Sequence, residues 1–438
     1  MKKKLKNLIQ QIDENFIWHP FTQKKKSKKP IIAVSAKNEK IIDIDGNEYI
    51  DLISSWWVNT HGHAREDIAN EIFNQAKKLE HVIFAGFTHP PAALLAKQLV
   101  EILPKKLKRV FYSDNGSTAV EIAMKVAIQY WYNQGKKKNK FVAFYGGYHG
   151  DTIGAMSVGF SSGFYEPFQD VIIKNKFIPF ADTWIGDNSI HLKEEQSLKK
   201  IDELLDNNNN DIAAVIIEPL IQGASGMKVC RPEFIDKVVK KFKSKNIIVI
   251  FDEVMTGFGR TGKMFASDFL RFKPDIICLA KSMTAGYLPL AATVFTENIH
   301  NSFVDKDFKK TFLHGHSYTA NPVACSAALA SIEIFNRENT LKRINNIEKI
   351  HKEGIKFLKQ NKKIIKPRVI GSISAFDISG VNSEYGNELA ERIKEIFFNK
   401  GYILRPLGNT FYLMPPYCIP DKTLNNVYSL IYDILKKI

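Results

Sequence analysis

Between Arg109 and Lys281, short apolar runs alternate with helix-patterned stretches, and each run ends in a polar or glycine-rich loop. The runs span residues 110–113, 141–144, 212–217, 247–253 and 275–280. They are continuous rather than alternating in polarity, so each reads as a strand covered on both faces. Strands that alternate with helices in this way imply an α/β fold, a mostly parallel, doubly wound sheet. Ligands of such sheets sit in the crevice beyond the carboxyl ends of the strands. The residues just after each run are therefore where chemistry is sought.

Two of those ends carry complementary groups. One run closes on Phe251-Asp252-Glu253 and the next on Leu279-Ala280-Lys281. Burial lowers a lysine's pKa and frees its amine to attack a carbonyl. A Schiff-base lysine beside an aspartate that keeps a pyridine nitrogen protonated is what a pyridoxal phosphate site requires. Either residue alone is ordinarily a solvated lysine or a turn acid; the pair and its loops point to a site. Asp114-Asn115-Gly116-Ser117-Thr118 opens a helix over about 119–132, and the free N–H groups of a helix start suit a phosphate. In the loop from Tyr145 to Thr152, an aromatic ring can stack on a planar cofactor, and glycines let the backbone pass close by. Glu218-Pro219 ends the 212–217 run and receives no role.

Ahead of this region, strand-like pieces at 31–34, 41–44 and 49–52 surround the turn signal Asp45-Gly46-Asn47. Ser54-Ser55-Trp56-Trp57 follows, and its tryptophans suit either a pocket wall or core packing. His61-Gly62-His63 lacks a third ligand at metal spacing, so no metal is expected. Past Asn321-Pro322, helices at about 341–361 and 387–399 with interleaved short strands suit a smaller α+β domain. The expected division is 1–53 with 338–438 as the small domain and 54–337 as the large one. No apolar run approaches the roughly 20 residues of a membrane span. The stretch after the basic Met1 to Lys6 is broken by Gln10, Gln11, Asp13 and Glu14, unlike a secretory leader. Cys230, Cys278, Cys325 and Cys418 are widely spaced and read as buried apolar residues of a reducing, cytoplasmic compartment. The formal charge of +16 is accompanied by lysine clusters at 2–4, 24–29, 136–138 and 309–310 without a nucleic-acid module, so neither nucleic acid nor membrane is expected as a partner. Together with the asparagines at 207–210, those lysines reflect a drift in composition along the whole chain.

The segment Phe251-Asp252-Glu253-Val254-Met255-Thr256-Gly257-Phe258-Gly259-Arg260-Thr261-Gly262, together with Lys281, resembles the class III aminotransferases of fold type I, which depend on pyridoxal 5'-phosphate. Trp18-His19-Pro20, Ser54-Ser55-Trp56-Trp57, Asp114-Asn115-Gly116-Ser117, Tyr148-His149-Gly150-Asp151-Thr152, Arg405-Pro406 and Tyr412-Leu413-Met414-Pro415-Pro416 are similar to its branch that makes 7,8-diaminononanoate in biotin biosynthesis. The resemblance implies that Lys281 binds the cofactor and moves the proton, that Asp252 pairs with the pyridinium, and that Tyr148 stacks on the ring. It further implies that Gly116, Ser117 and Thr118 hold the phosphate, with Ser317 added from the other subunit of a homodimer with shared active sites. Phe21, Trp56, Trp57, Asp151, Arg260 and Gly315 are implied around the substrate, and Arg405 on the keto acid's carboxylate, where its fork donates two parallel hydrogen bonds. The implied reaction is ping-pong, from S-adenosylmethionine to 8-amino-7-oxononanoate. Two positions depart from the family: Phe21 stands where tyrosine is frequent and His316 where proline is frequent. Both bear on the donor, so lysine in place of S-adenosylmethionine, or an ornithine-type ω-aminotransferase, are the alternatives.

Overall fold

The five runs assemble into one sheet. In the computed structural model, which describes residues 2–160, 165–206 and 210–437, they join two further strands in one seven-stranded sheet. Its spatial order is Leu107–Ser113, Ala291–Thr296, Ile276–Leu279, Ile248–Asp252, Ile212–Ile217, Lys140–Phe144 and Lys176–Ile178. Ile248–Asp252 is parallel to both neighbours, and Lys140–Phe144 is parallel to both of its own. Ala291–Thr296 alone runs antiparallel, to both of its neighbours. The sheet is thus mostly parallel, as the alternation of strand and helix implies. Asparagines 207–209 lie outside the described residues.

The two faces of the sheet feed two separate cores. Val142, Phe144, Val215, Ile217, Val249 and Phe251 point into one, with Phe234, Ile235, Val238, Val239 and Phe242 of the helix Pro232–Ser244. Phe141, Ala143, Ala214, Ile216, Ile248 and Ile250 point into the other, with Val120, Ala123 and Ala127 of the helix Gly116–Asn133. That alternation, interrupted only at Ala213 and Ala214 among the residues of Ile212–Ile217, is the pleat of a strand with both faces dry, and it explains why the runs are so apolar.

The ends of the chain meet. Glu48–Asp51 pairs with Tyr402–Ile403, so the antiparallel strands Ala33–Lys37, Lys40–Asp43 and Glu48–Asp51 share a sheet with the C-terminal segment. A further antiparallel sheet joins Ile364–Ile370, Ile373–Ile378 and Thr410–Leu413, packed with the helices Thr340–Leu358 and Asp421–Lys437. Several elements escape the sequence reading, among them the helices Glu66–Ala76, Pro90–Ile102 and Ile190–Asp206 and also Lys2–Phe16, a helix with no residue buried. Leu5, Leu8, Ile12 and Phe16 form an exposed stripe along it at helical spacing. Lysines and glutamines between them hide that periodicity.

Candidate active site

The strand ends Ile248–Asp252 and Ile276–Leu279 are adjacent and parallel, which brings Asp252 and Lys281 to the same crevice. Lys281 opens a short 3-10 turn, Lys281–Thr284, with φ of 44°, a left-handed conformation that costs a lysine energy and is held by its surroundings. Its Nζ lies 4.7 Å from the ring centre of Trp57. Burial holds the amine below the ordinary lysine pKa and Arg260 adds to that, while Asp252 and Glu218 act in the opposite direction. Asp252 is buried, with Oδ2 2.7 Å from Nδ1 of His149 and Oδ1 accepting the Val254 N–H at 3.0 Å. A carboxylate only accepts, so Nδ1 of His149 carries the hydrogen.

Glu218 is a member of the site that sequence reasoning missed. It stands at the end of Ile212–Ile217, buried, and its two oxygens accept the N–H groups of Tyr148 at 2.9 Å and Gly223 at 3.1 Å. It thereby ties two loops of the crevice to one strand end. Burial pushes its pKa up to about 7, and Asp252 adds to the rise. The only signal was its place after an apolar run, next to a proline.

At the other end of the crevice, Asn115 and Thr118 cap each other across the start of the helix Gly116–Asn133. The N–H groups of Gly116 and Ser117 have no acceptor within the helix. Space there is tight: a Cβ on Gly116 would meet Val254 at 2.6 Å, and one on Gly150 would meet the Ser117 hydroxyl at 2.3 Å. The Thr152 hydroxyl donates to Glu121 at 2.6 Å, so Ser117 is the donor in the 2.7 Å bond between Ser117 and Thr152. The Thr118 hydroxyl is engaged by the cap itself, donating to the Asn115 carbonyl at 2.8 Å. Tyr148, half-buried, donates to Asp151 at 2.9 Å, and burial together with that carboxylate drives its phenol far above the usual pKa.

The tryptophan pair lies on an unusual turn. Ser54, Ser55, Trp56 and Trp57 have φ of 50°, 45°, 71° and 74°, four left-handed residues in a row without a glycine. Tertiary hydrogen bonds fix them. Ser54 donates to the Met414 carbonyl at 2.7 Å and Ser55 to Asp51 at 2.9 Å. The turn separates the two indoles. Trp57 is 4% exposed, donates to the Tyr412 hydroxyl at 3.0 Å and lies under Lys281. Trp56 is 37% exposed, packs edge-on against Phe21 at 5.3 Å and lies 4.8 Å from the Arg405 guanidinium carbon. Pocket wall and core packing are therefore both present, one in each indole.

Arg260 stands behind this turn. It is fully buried, and its Nη groups donate to the carbonyls of Trp57 at 3.2 Å, Asn59 at 3.3 Å and Pro415 at 3.4 Å. These bonds brace the backbone of the Trp57 turn, while Nε makes no hydrogen bond among the described residues and the charge acts on the Lys281 amine. His61 and His63 do not converge. His61 bonds the Ser331 carbonyl, burial lowering its pKa to about 4, and His63 lies 3.1 Å from Asp51. Gly315 and Ser317 are exposed in the loop before the helix Pro322–Arg337, and His316 lies 3.4 Å from Asp114 at the entry to the helix cap.

A lysine amine and a carboxylate at neighbouring strand ends, facing a helix start rich in free donors, define an α/β enzyme built for chemistry at a lysine. Residues 21–435 match the family model described as aminotransferase class-III, and the chain belongs to that family. It is 46% identical to an adenosylmethionine-8-amino-7-oxononanoate aminotransferase of Synechococcus elongatus, over 96% of this chain and 99% of that one. A solved structure with the same printed name, from Methanocaldococcus jannaschii, superposes with a TM-score of 0.93 at 39% identity, covering 99% of each chain. An amine transaminase from an uncultivated Pseudomonas species, solved in its PLP-bound form, superposes at 0.86 with 28% identity, covering 96% of this chain and 98% of that one.

Proposed function

We propose that this chain transfers the amine of S-adenosylmethionine to the ketone of 8-amino-7-oxononanoate, giving 7,8-diaminononanoate for biotin biosynthesis, with pyridoxal 5'-phosphate as cofactor. One observation carries the reading: a single turn sets one indole under the Lys281 amine and the next under the Arg405 guanidinium. That arrangement suits amine transfer to a molecule bearing a carboxylate at some distance from its reacting carbon. Full-length relatives sharing one printed name supply the identity of the two substrates.

The residues present fit the cofactor. The Gly116 and Ser117 amides are donors without helical acceptors, the space around them admits only glycine at 116 and 150, and a buried carboxylate and a half-buried phenol face the same crevice. When bound, pyridoxal phosphate supplies an aldehyde and an electron sink. Gly116 and Ser117 hold its phosphate, with Thr118 keeping the cap in shape. Tyr148 covers the ring, and Asp252, steadied by His149, holds the proton at the pyridine nitrogen. Lys281, kept as the free amine by its lowered pKa, takes the proton from the substrate carbon and returns it. Arg405 binds the acceptor's carboxylate, Trp56, Trp57, Phe21 and Asp151 line its path, and Arg260 braces the Trp57 turn.

A homodimer completes the site in this reading, with Gly315 and Ser317 reaching the other subunit's crevice. The exposed 314–318 loop and the open apolar stripe of the helix Lys2–Phe16 support it. We also place the enzyme in the cytoplasm, with no nucleic-acid or membrane partner; no described helix is long and apolar enough to cross a membrane. The test is a half-reaction with the loaded enzyme, offering S-adenosylmethionine, lysine and ornithine separately. Conversion of the cofactor to its amine form by S-adenosylmethionine is expected. Conversion by lysine alone moves the donor, and conversion by ornithine alone overturns the reading.

A further inference from the structure

Tyr385 lies in the loop between the strand Ile373–Ile378 and the helix Glu388–Phe398, and no motif singled it out. Its hydroxyl accepts the Nε–H of Arg405 at 2.7 Å. Its ring centre is 5.6 Å from the guanidinium carbon and 6.4 Å from the Phe21 ring. Trp56 contributes a second aromatic face to the same guanidinium at 4.8 Å. Arg405 is thus held through Nε and lies against two rings, while its Nη groups make no hydrogen bond among the described residues.

Which nitrogen is held matters. A guanidinium can meet a carboxylate side-on, through Nε and one Nη, or end-on, through both Nη groups. With Nε occupied, the end-on edge is the one presented. The aromatic contacts on the planar cation stop it from rotating away. Phe21 brings no hydroxyl to this cluster, so among Phe21, Trp56 and Tyr385 only Tyr385 can make the bond.

Resting on the reading that Arg405 takes the acceptor's carboxylate, we propose that Tyr385 is a positioning residue that sets the plane of the Arg405 fork and so selects acceptors that end in a carboxylate. The side chain is 37% exposed, so Tyr385→Phe removes one oxygen and leaves the packing in place. The experiment uses the loaded enzyme and measures KM and kcat separately for three reactions: the donor half-reaction, the acceptor half-reaction with the keto acid, and the same acceptor as its methyl ester. A hydrogen bond to a charged group predicts that Tyr385→Phe raises KM for the acid by about 10-fold or more. The donor and the ester should change by less than about 2-fold, as neither relies on the fork. The preference for acid over ester should then fall by the same factor. An unchanged KM for the acid, or an equal rise for acid, ester and donor, overturns the proposal. Arg405→Ala is measured in parallel. If it too leaves the acid preference intact, the reading of Arg405 fails; if it abolishes the preference while Tyr385→Phe does not, only the role of Tyr385 fails.

Discussion

Trp56 and Trp57 are neighbours in the chain and belong to two different halves of the site. The Trp57 half is buried and built on strand ends: Lys281, Asp252 and Glu218 stand on three adjacent parallel strands, with His149 bonded behind Asp252. The Trp56 half is half-exposed and built on loops, with Phe21 from the N-terminal segment and Tyr385 and Arg405 from the C-terminal one. The difference separates labour. A group shared by both half-reactions must be held within a fraction of an ångström, which a packed sheet provides. A group that discriminates between substrates can sit on looser segments, as Phe21 does.

The comparison breaks most decisively at Lys281. Lys281→Ala should lower turnover by about 10⁴-fold or more in both half-reactions and remove the yellow absorbance of the lysine-bound cofactor. Spectra and single-turnover rates check this, and retained turnover would sink the assignment. The indoles give the next largest contrast. Trp57→Ala empties a buried site and should cost about 3–5 kcal/mol of stability, whereas Trp56→Ala should cost about 1 kcal/mol or less and act on acceptor KM instead. Denaturant titration of both variants, beside their kinetics, tests the division; equal losses of stability would erase it.

The smallest effect concerns pH. Glu218 has a folded pKa of about 7 against an ordinary value of 4.5, so between those values the folded chain holds a proton that the unfolded chain has released. Its contribution to stability is therefore complete below pH 4.5 and is lost as pH rises towards 7. Glu218→Gln should remove that decline, about 1–3 kcal/mol over the window. Urea midpoints of the cofactor-free protein across this range measure it, and parallel slopes in the two proteins would contradict the burial account.

How much of this was legible follows from the same division. Ile212–Ile217 has the limits its sequence indicates, since a strand dry on both faces has no polar residue to blur its ends. Lys281 and Asp252 were visible because each closes such a run. Glu218 and His149 were visible only as neighbours of readable residues. Their partners lie far away in sequence: Tyr148 is 70 residues from Glu218, and Asp252 is 103 residues from His149. The left-handed turn from Ser54 to Trp57 was not legible at all. It contains no glycine, and its conformation is imposed by Met414, Asp51 and Arg260 from elsewhere in the chain. The backbone bonds of Arg260 were not legible for the complementary reason, because a motif gives the residue and not the direction its side chain takes.

The most direct test of this division of labour is Arg405→Ala, assayed in each half-reaction on the loaded enzyme. The guanidinium is braced by Trp56 and Tyr385 and has no hydrogen bond to the strand-end residues. The keto-acid half-reaction should therefore lose about 10²-fold in kcat/KM, the scale of a lost charged pair, while the donor half-reaction stays within about 2-fold. Equal losses in the two half-reactions would show that the two tryptophans do not divide the site, and the account would fail at its centre.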